Sequence, residues 1–302
     1  MKNKNPLVKI FIAEFLLFTI SFSSFEFSGV KNVGGRVLGF GSAYTAIAEE
    51  SEGSFINPAG LAQNRIYKEV SLMYTKLFNI PELSYSYLGI ATPDKGKGAL
   101  GINASILGFS SYYSEKIFSL SYARRLVTQP TSELYAGLSL KLLHRLYEDK
   151  PDIFSTVYDQ DGNVVAQQEK TFVDMNLGYD IGVLYSMKMD KNLLRVGVSY
   201  RNNQVDGSNV SNIRTGVAYN LEKKALVSLD YDISEKSISA GGEYALIYRL
   251  LDVRVGYQQV SGGSNISLGI GLTLRAWRFD FVYLISQTGL PNTYRIGCVA
   301  KF

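Results

Sequence analysis

The sequence is poor in the residues on which most enzyme chemistry rests. Its 302 residues include one Cys, one His and one Trp. A single Cys excludes a disulfide framework, and one Cys with one His excludes a Cys/His zinc centre. A Ser-His-Asp site would have His144 alone to build on. Charge of one sign is also scarce. Lys and Arg number 31 against 27 Asp and Glu, a net +4, so no nucleic-acid partner is implied. Beyond the N-terminal segment there is no run of 18 apolar residues, which excludes a spanning helix. Gly (28), Tyr (21) and Phe (16) are plentiful instead, and with a mean hydropathy near zero they suit a protein of half-buried strands.

Residues 1–24 read as an export signal. Lys2, Lys4 and Lys9 precede a mainly apolar run from Leu7 to Phe22, and the small residues Ser21, Ser23 and Ser24 follow. The run contains Glu14 and is short of the roughly 20 residues that a membrane anchor needs. No Cys follows it, which excludes a lipoprotein anchor.

From residue 68 onward, apolar residues recur at every second position. One run reads Val173, Met175, Leu177, Tyr179, Ile181, Val183, Tyr185 against Asp174, Asn176, Gly178, Asp180, Gly182. A period of two is a strand with two chemically different faces. Such runs number about fourteen, near 68–76, 82–92, 97–106, 115–125, 132–145, 172–188, 193–202, 211–220, 223–232, 236–247, 250–259, 263–274, 276–285 and 291–302. Most are about ten residues long, enough for a tilted strand to cross a bilayer.

Alternation alone does not separate a soluble sandwich from a membrane barrel; four further features favour the barrel. The polar face carries Gly197, Gly216, Gly241, Gly256, Gly269, Gly271 and Gly297, which suit a crowded lumen. Tyr200, Tyr219, Tyr231, Tyr244, Tyr257, Tyr283 and Trp277 lie toward strand ends on the apolar face, as in aromatic girdles. Long connections at 146–171 and 203–210 alternate with tight turns at 221–222 and 248–249. The last strand places Tyr294, Ile296, Cys298, Ala300 and Phe302 on the apolar face. The expected fold is all-β: an antiparallel up-and-down transmembrane barrel over residues 67–302.

Residues 25–66 do not alternate. Gly29, Gly34, Gly35, Gly39 and Gly41 punctuate an irregular stretch, Ser42–Glu50 has helical spacing, and Asn57 can cap a short helix that opens on Pro58. This segment is expected to fill the lumen as a hatch, because fourteen strands enclose more space than their own side chains fill.

Here the sequence resembles a known family. Gly35-Arg36-Val37-Leu38-Gly39-Phe40-Gly41-Ser42-Ala43-Tyr44-Thr45-Ala46-Ile47-Ala48, followed by Asn57-Pro58-Ala59-Gly60-Leu61-Ala62, resembles the hatch of FadL-like outer-membrane proteins. The PorV/PorQ branch is the closer likeness, and Val70-Ser71-Leu72 and Tyr122-Ala123-Arg124-Arg125 fit its pattern. The resemblance implies a bacterial outer-membrane, non-enzymatic protein. As a PorV/PorQ-like barrel it would serve type IX secretion, with exported cargo or translocon components as partners. As a FadL-like channel it would take up long-chain fatty acids or other hydrophobic molecules through a hatch-gated lateral opening. Membrane lipid, lipopolysaccharide and the barrel assembly machinery are further expected partners, the last through Phe302.

No cofactor or metal site is expected. Gly39-Phe40-Gly41 lacks the third Gly and the βαβ context of a dinucleotide fingerprint. His144 and Cys298 fall on the apolar face by parity. Asp159-Gln160-Asp161-Gly162 lacks the closing Glu of a calcium loop, so Asp161-Gly162-Asn163 reads as a hairpin turn. Arg195, Arg201, Arg214, Arg254, Arg278, Arg295 and Lys141 oppose Asp174, Asp180, Asp230, Asp232, Glu243, Asp252 and Asp280 across the lumen. Their balance favours a paired network that holds the hatch over a selective pore lining. An apolar lumenal track would mark a solute channel, and its inward candidates are Leu88, Ile90, Leu184 and Leu226.

Overall fold

The computed structural model of the chain describes residues 33–302 except 111, 150–155, 159–163, 168–169, 206–207, 261 and 288. The export signal and the Asp159–Asn163 stretch lie outside the described residues.

The strands follow the period-two runs. In chain order they are β1 (Glu69–Lys76), β2 (Leu83–Ala91), β3 (Ala99–Phe109), β4 (Tyr113–Thr128), β5 (Ser132–Asp149), β6 (Thr156–Tyr158), β7 (Val164–Gln167), β8 (Lys170–Met189), β9 (Asn192–Val205), β10 (Ser208–Leu221), β11 (Ala225–Asp232), β12 (Ser237–Ile247), β13 (Leu251–Val260), β14 (Gly263–Leu274), β15 (Trp277–Ser286) and β16 (Thr293–Lys301). Strands β6 and β7 form a hairpin of their own. The other fourteen make a closed barrel in which each pairs antiparallel with its neighbour, and β1 meets β16 from Glu69↔Lys301 to Lys76↔Tyr294. Closure satisfies every edge. Just beyond that seam, Lys68 and Phe302 exchange backbone hydrogen bonds of 3.0 and 2.9 Å.

The two faces separate as the alternation requires. On β8, Leu177 is 66% exposed while Asp180, three positions on, is 2% exposed. The aromatic residues Tyr231, Tyr244, Tyr257 and Trp277 are exposed on the outer wall, and Phe302 packs edge-on against Trp277. Cys298 sits on the outer wall opposite Leu72 and Phe279. His144 lies on the same outer parity, between Lys116 and Met175.

The core is inside the ring of strands, and residues 33–64 supply much of it. Val37, Phe40, Tyr44, Ile47 and Ile56 pack with Ala218 and Leu226, and Ala59, Leu61 and Ala62 pack with Tyr135 and Leu184. The inward glycines make room for this chain. A Cβ on Gly256 would strike the backbone of Gly41, and one on Gly182 would strike the side chain of Asn57.

Three expectations are corrected. Ser42–Glu50 is a series of turns rather than a helix, and the helices are α1 (Gly35–Gly39) and α2 (Glu50–Gly53). The left-handed backbone at Gly41, Ser42, Ala48 and Glu50 breaks the helical run. The supposed loop at 203–210 is mostly strand, because β9 and β10 stay paired to Val205 and Ser208. Leu88 and Ile90 face outward at 43% and 45% exposure; the inward parity of β2 belongs to Leu83, Tyr85 and Tyr87.

Candidate functional site

That inward face of β2 builds one of the apolar clusters of the described lumen. Leu83, Tyr85 and Tyr87 join Met73 of β1, Leu107 of β3, Leu77 and Val33 in one buried cluster, with Phe55 and Phe78 packed against it. Parity explains why the sequence hides it. On β2 the apolar residues switch faces at Tyr87-Leu88, so the strand reads as one blurred run instead of two short faces.

The cluster has a cover at each end. Toward the end of the barrel where β1 finishes and β2 begins, a 3-10 turn over Leu77–Asn79 tucks Leu77 inward, with Phe78 and Asn79 in left-handed backbone at φ 53° and 55°. The Thr293 hydroxyl accepts the Phe78 N–H at 2.9 Å and ties the turn to β16. From the other side come Val33 and Phe55 of the N-terminal segment. The Phe55 ring meets Tyr87 edge to face at 5.5 Å between centroids. Tyr87 donates to Asn103 Oδ1 at 2.7 Å, and Asn103 Nδ2 donates to Ser54 Oγ at 2.9 Å. The one strongly polar group of Tyr87 is therefore satisfied, as burial demands.

Below the cluster, an alternating chain of charges binds the N-terminal segment to the wall. Arg36 pairs with Glu49 at 2.6 Å and with Glu243 at 2.7 Å. Glu243 takes Arg254 at 2.6 Å, and Arg254 takes Asp280 at 2.5 Å. Asp280 pairs with Arg278 at 2.9 Å, and Arg278 holds Glu50, which Lys301 also approaches at 2.9 Å. Arg195 reaches Glu49 at 2.9 Å. Arg295 donates to the Gly34 carbonyl at 3.3 Å. Asp230 accepts the backbone N–H groups of Tyr44 and Thr45, each at 2.9 Å.

Asp180 is paired with Lys141 at 2.6 Å, Arg214 with Asp232 and Asp174 with Arg145, both at 3.2 Å. These three pairs join strand to strand. Asn57 caps the 3-10 helix Pro58–Gln63, its Oδ1 accepting the Ala59 N–H at 3.2 Å while its Nδ2 donates to Thr45 O at 2.9 Å and Val183 O at 3.2 Å. Gly60 and Leu61 complete that buried turn. Sequence reasoning paired wall charges with one another and missed Arg36, Glu49 and Glu50, which supply the other half of the network. The available signal was four charges inside a Gly- and Ala-rich segment with no solvated face to occupy.

The fourth of those charges is Glu52. Its carboxyl is fully buried, touches the Gly34 backbone and has no hydrogen-bond partner among the described residues. Burial, with Glu50 and Asp280 nearby, pushes its pKa up to about 8 against the opposing pull of Arg278 and Arg295. Glu50 is buried too, but Arg278 and Lys301 outweigh burial and hold its carboxyl well below the usual range.

This architecture has solved counterparts. It aligns with a monoaromatic hydrocarbon channel, CymD, at a TM-score of 0.62 and 13% identity, covering 91% of this chain and 98% of that one. A FadL homologue from Pseudomonas aeruginosa and the toluene transporter TbuX from Ralstonia pickettii each align at a TM-score of 0.56 and 10% identity, covering 90% of this chain and 98% of theirs. The fold is a FadL-like barrel. No profile of a known protein family matches the chain, and no curated protein does. At such identities the likeness is one of fold.

Proposed function

We propose that this chain is a bacterial outer-membrane channel for small hydrophobic molecules, with the cluster around Leu83, Tyr85 and Tyr87 as the place where a solute is held. The observation that carries the reading is a buried apolar cluster to which the wall itself contributes Met73, Leu83, Tyr85, Tyr87 and Leu107, covered by the N-terminal segment on one side and the Leu77–Asn79 turn on the other. Ligand sites are mostly apolar with a few placed polar groups, and the Tyr87–Asn103–Ser54 chain supplies those groups here. The FadL-like fold, shared with proteins described as a hydrocarbon channel and a toluene transporter, supports the same choice. The resemblance to the secretion-associated PorV/PorQ branch rests on the motif alone.

In this reading the cluster is filled by its own side chains at rest, so passage requires Val33 and Phe55 to withdraw. A reversible lock tests this. Gly39 and Gly269 lie close enough for a disulfide, a Cβ on Gly269 standing 3.5 Å from Gly39 Cα. Cells lacking their own hydrophobic-solute channel and expressing Gly39→Cys/Gly269→Cys in a Cys298→Ala background should take up labelled toluene or oleate only after reduction. Uptake by the unlocked chain no faster than in empty cells would overturn the reading.

A further inference from the structure

The turns at the two ends of the barrel differ in charge. At the end of the barrel where β1 begins and β16 finishes, the connections are 92–98, 129–131, 190–191, 222–224, 248–250 and 275–276. All but 129–131 carry an exposed cation: Lys95 and Lys97, Lys191, Lys223 and Lys224, Arg249 and Arg275, against the acids Asp94, Asp190 and Glu222. At the opposite end the described connections contain only Glu82, Glu235 and Lys236. Among the described residues, none of those seven cations is held in an ion pair.

Turn geometry does not account for them. Lys223, Arg249 and Arg275 occupy left-handed backbone, at φ 61°, 63° and 56°. Tight hairpin turns place Gly, Asn or Asp there at lower conformational cost. Lys236 at the opposite end and Glu222 beside Lys223 have the same backbone, at φ 52° and 50°, so what sets this rim apart is its excess of cations.

Their height on the barrel identifies the use. Four of them lie within two residues of an exposed apolar or aromatic side chain at the lower edge of the outer wall: Met189 before Lys191, Leu221 before Lys223, Tyr248 before Arg249, Leu274 before Arg275. The Arg249 guanidinium lies 5.2 Å from the centre of the Tyr248 ring, which holds it at that edge. Cations bordering an apolar belt lie at the level of lipid phosphates, where each Lys or Arg attracts an anionic leaflet. An acidic protein docking from the aqueous side would have no need of charges set against the apolar wall.

We propose that this rim binds the headgroups of anionic phospholipids in the leaflet on the side where β1 begins and β16 finishes. The inference rests on the membrane-barrel part of the function proposed above, and not on solute passage. The test is native mass spectrometry of the full chain, released from neutral detergent after titration with phosphatidylglycerol or phosphatidylcholine.

The wild type should retain phosphatidylglycerol preferentially. Each of Lys223→Gln, Arg249→Gln and Arg275→Gln should lower that preference about fivefold. Arg249→Lys should restore it, and Lys236→Gln at the other end should leave it unchanged. Equal retention of both lipids overturns the inference, as does a preference that survives the triple variant. So does a triple variant that loses binding to polyglutamate while keeping its lipid preference, which would assign the rim to an acidic protein. Heat-modifiable migration on a gel separates these results from failure to form a barrel, because a chain without that signature would sink the membrane-barrel reading itself.

Discussion

Asp230 binds Thr45 through the backbone: one carboxylate oxygen accepts the N–H of Thr45 and that of Tyr44, each at 2.9 Å. A strand side chain thus replaces the helical hydrogen bonds that the spacing of Ser42–Glu50 invites. It fixes the middle of the N-terminal segment to β11. Charge-assisted hydrogen bonds contribute about 1.5–3 kcal/mol each. Asp230→Ala should therefore release several kcal/mol of anchoring and expose residues 40–48 to limited proteolysis while the barrel stays folded. Asp230→Asn, which keeps an acceptor, should be cut more slowly than the alanine variant. Equal protection of all three chains would remove Asp230 from this role.

Glu52 makes the fit of the segment sensitive to pH. Its pKa is about 8 in place and near the ordinary 4.5 when released. Below 4.5 both states hold the proton, and the folded state bears no charge there. Between 4.5 and 8 the folded state holds the extra proton, so stability falls as pH rises through that window, by about 1.4 kcal/mol per unit at most. Above 8 a bare carboxylate faces Gly34 without a partner. Glu52→Gln should flatten this dependence, read as the pH profile of proteolytic release of residues 33–64. An unchanged slope in the variant would assign the effect to another group.

The barrel was legible in the sequence because its cause is local. Each strand declares two faces by period, and fourteen runs predicted fourteen barrel strands, with ends shifted by a few residues. The interior was less legible. Leu88 and Ile90 read as lumenal because β2 exchanges its apolar face midway, and period alone does not say where such a switch falls. The partners of the wall charges were hidden for a different reason. Arg36, Glu49 and Glu50 meet β9, β12 and β15 only after the chain has threaded the barrel, a contact that no spacing encodes.

Gly256 tests how closely that threading is fitted. A Cβ at this position would lie against the backbone of Gly41 and Phe40, which cannot turn aside as a side chain can, and against the Ser267 hydroxyl. Gly256→Ala should cost about 1–3 kcal/mol through overpacking. Gly242, whose added Cβ would meet its nearest atoms only at 3.9 and 4.0 Å, is the matched control and should tolerate Ala. Thermal melts of the two variants, followed by loss of heat-modifiable migration, check the contrast. A Gly256→Ala midpoint no lower than that of Gly242→Ala would mean that the segment yields freely.

The same logic of faces separates a solute-binding surface from a lipid-facing one. Leu83 and Leu88 are on one strand and opposite sides of the wall, at 5% and 43% exposure. If the inward cluster holds the solute, Leu83→Asn should place an amide among Met73, Tyr85 and Leu107 and reduce uptake of labelled toluene several-fold. Burying an unpaired amide costs about 1–3 kcal/mol by mutational data, so part of that loss would be stability. Met73→Leu and Leu107→Met preserve volume and polarity and should cost less than about 1.5 kcal/mol, altering uptake through fit alone. Leu88→Asn changes the outer wall and should leave uptake unchanged in barrels that reach the membrane in equal amount. A loss of uptake in Leu88→Asn with Leu83→Asn unaffected would move the solute path from the lumen to the outer face.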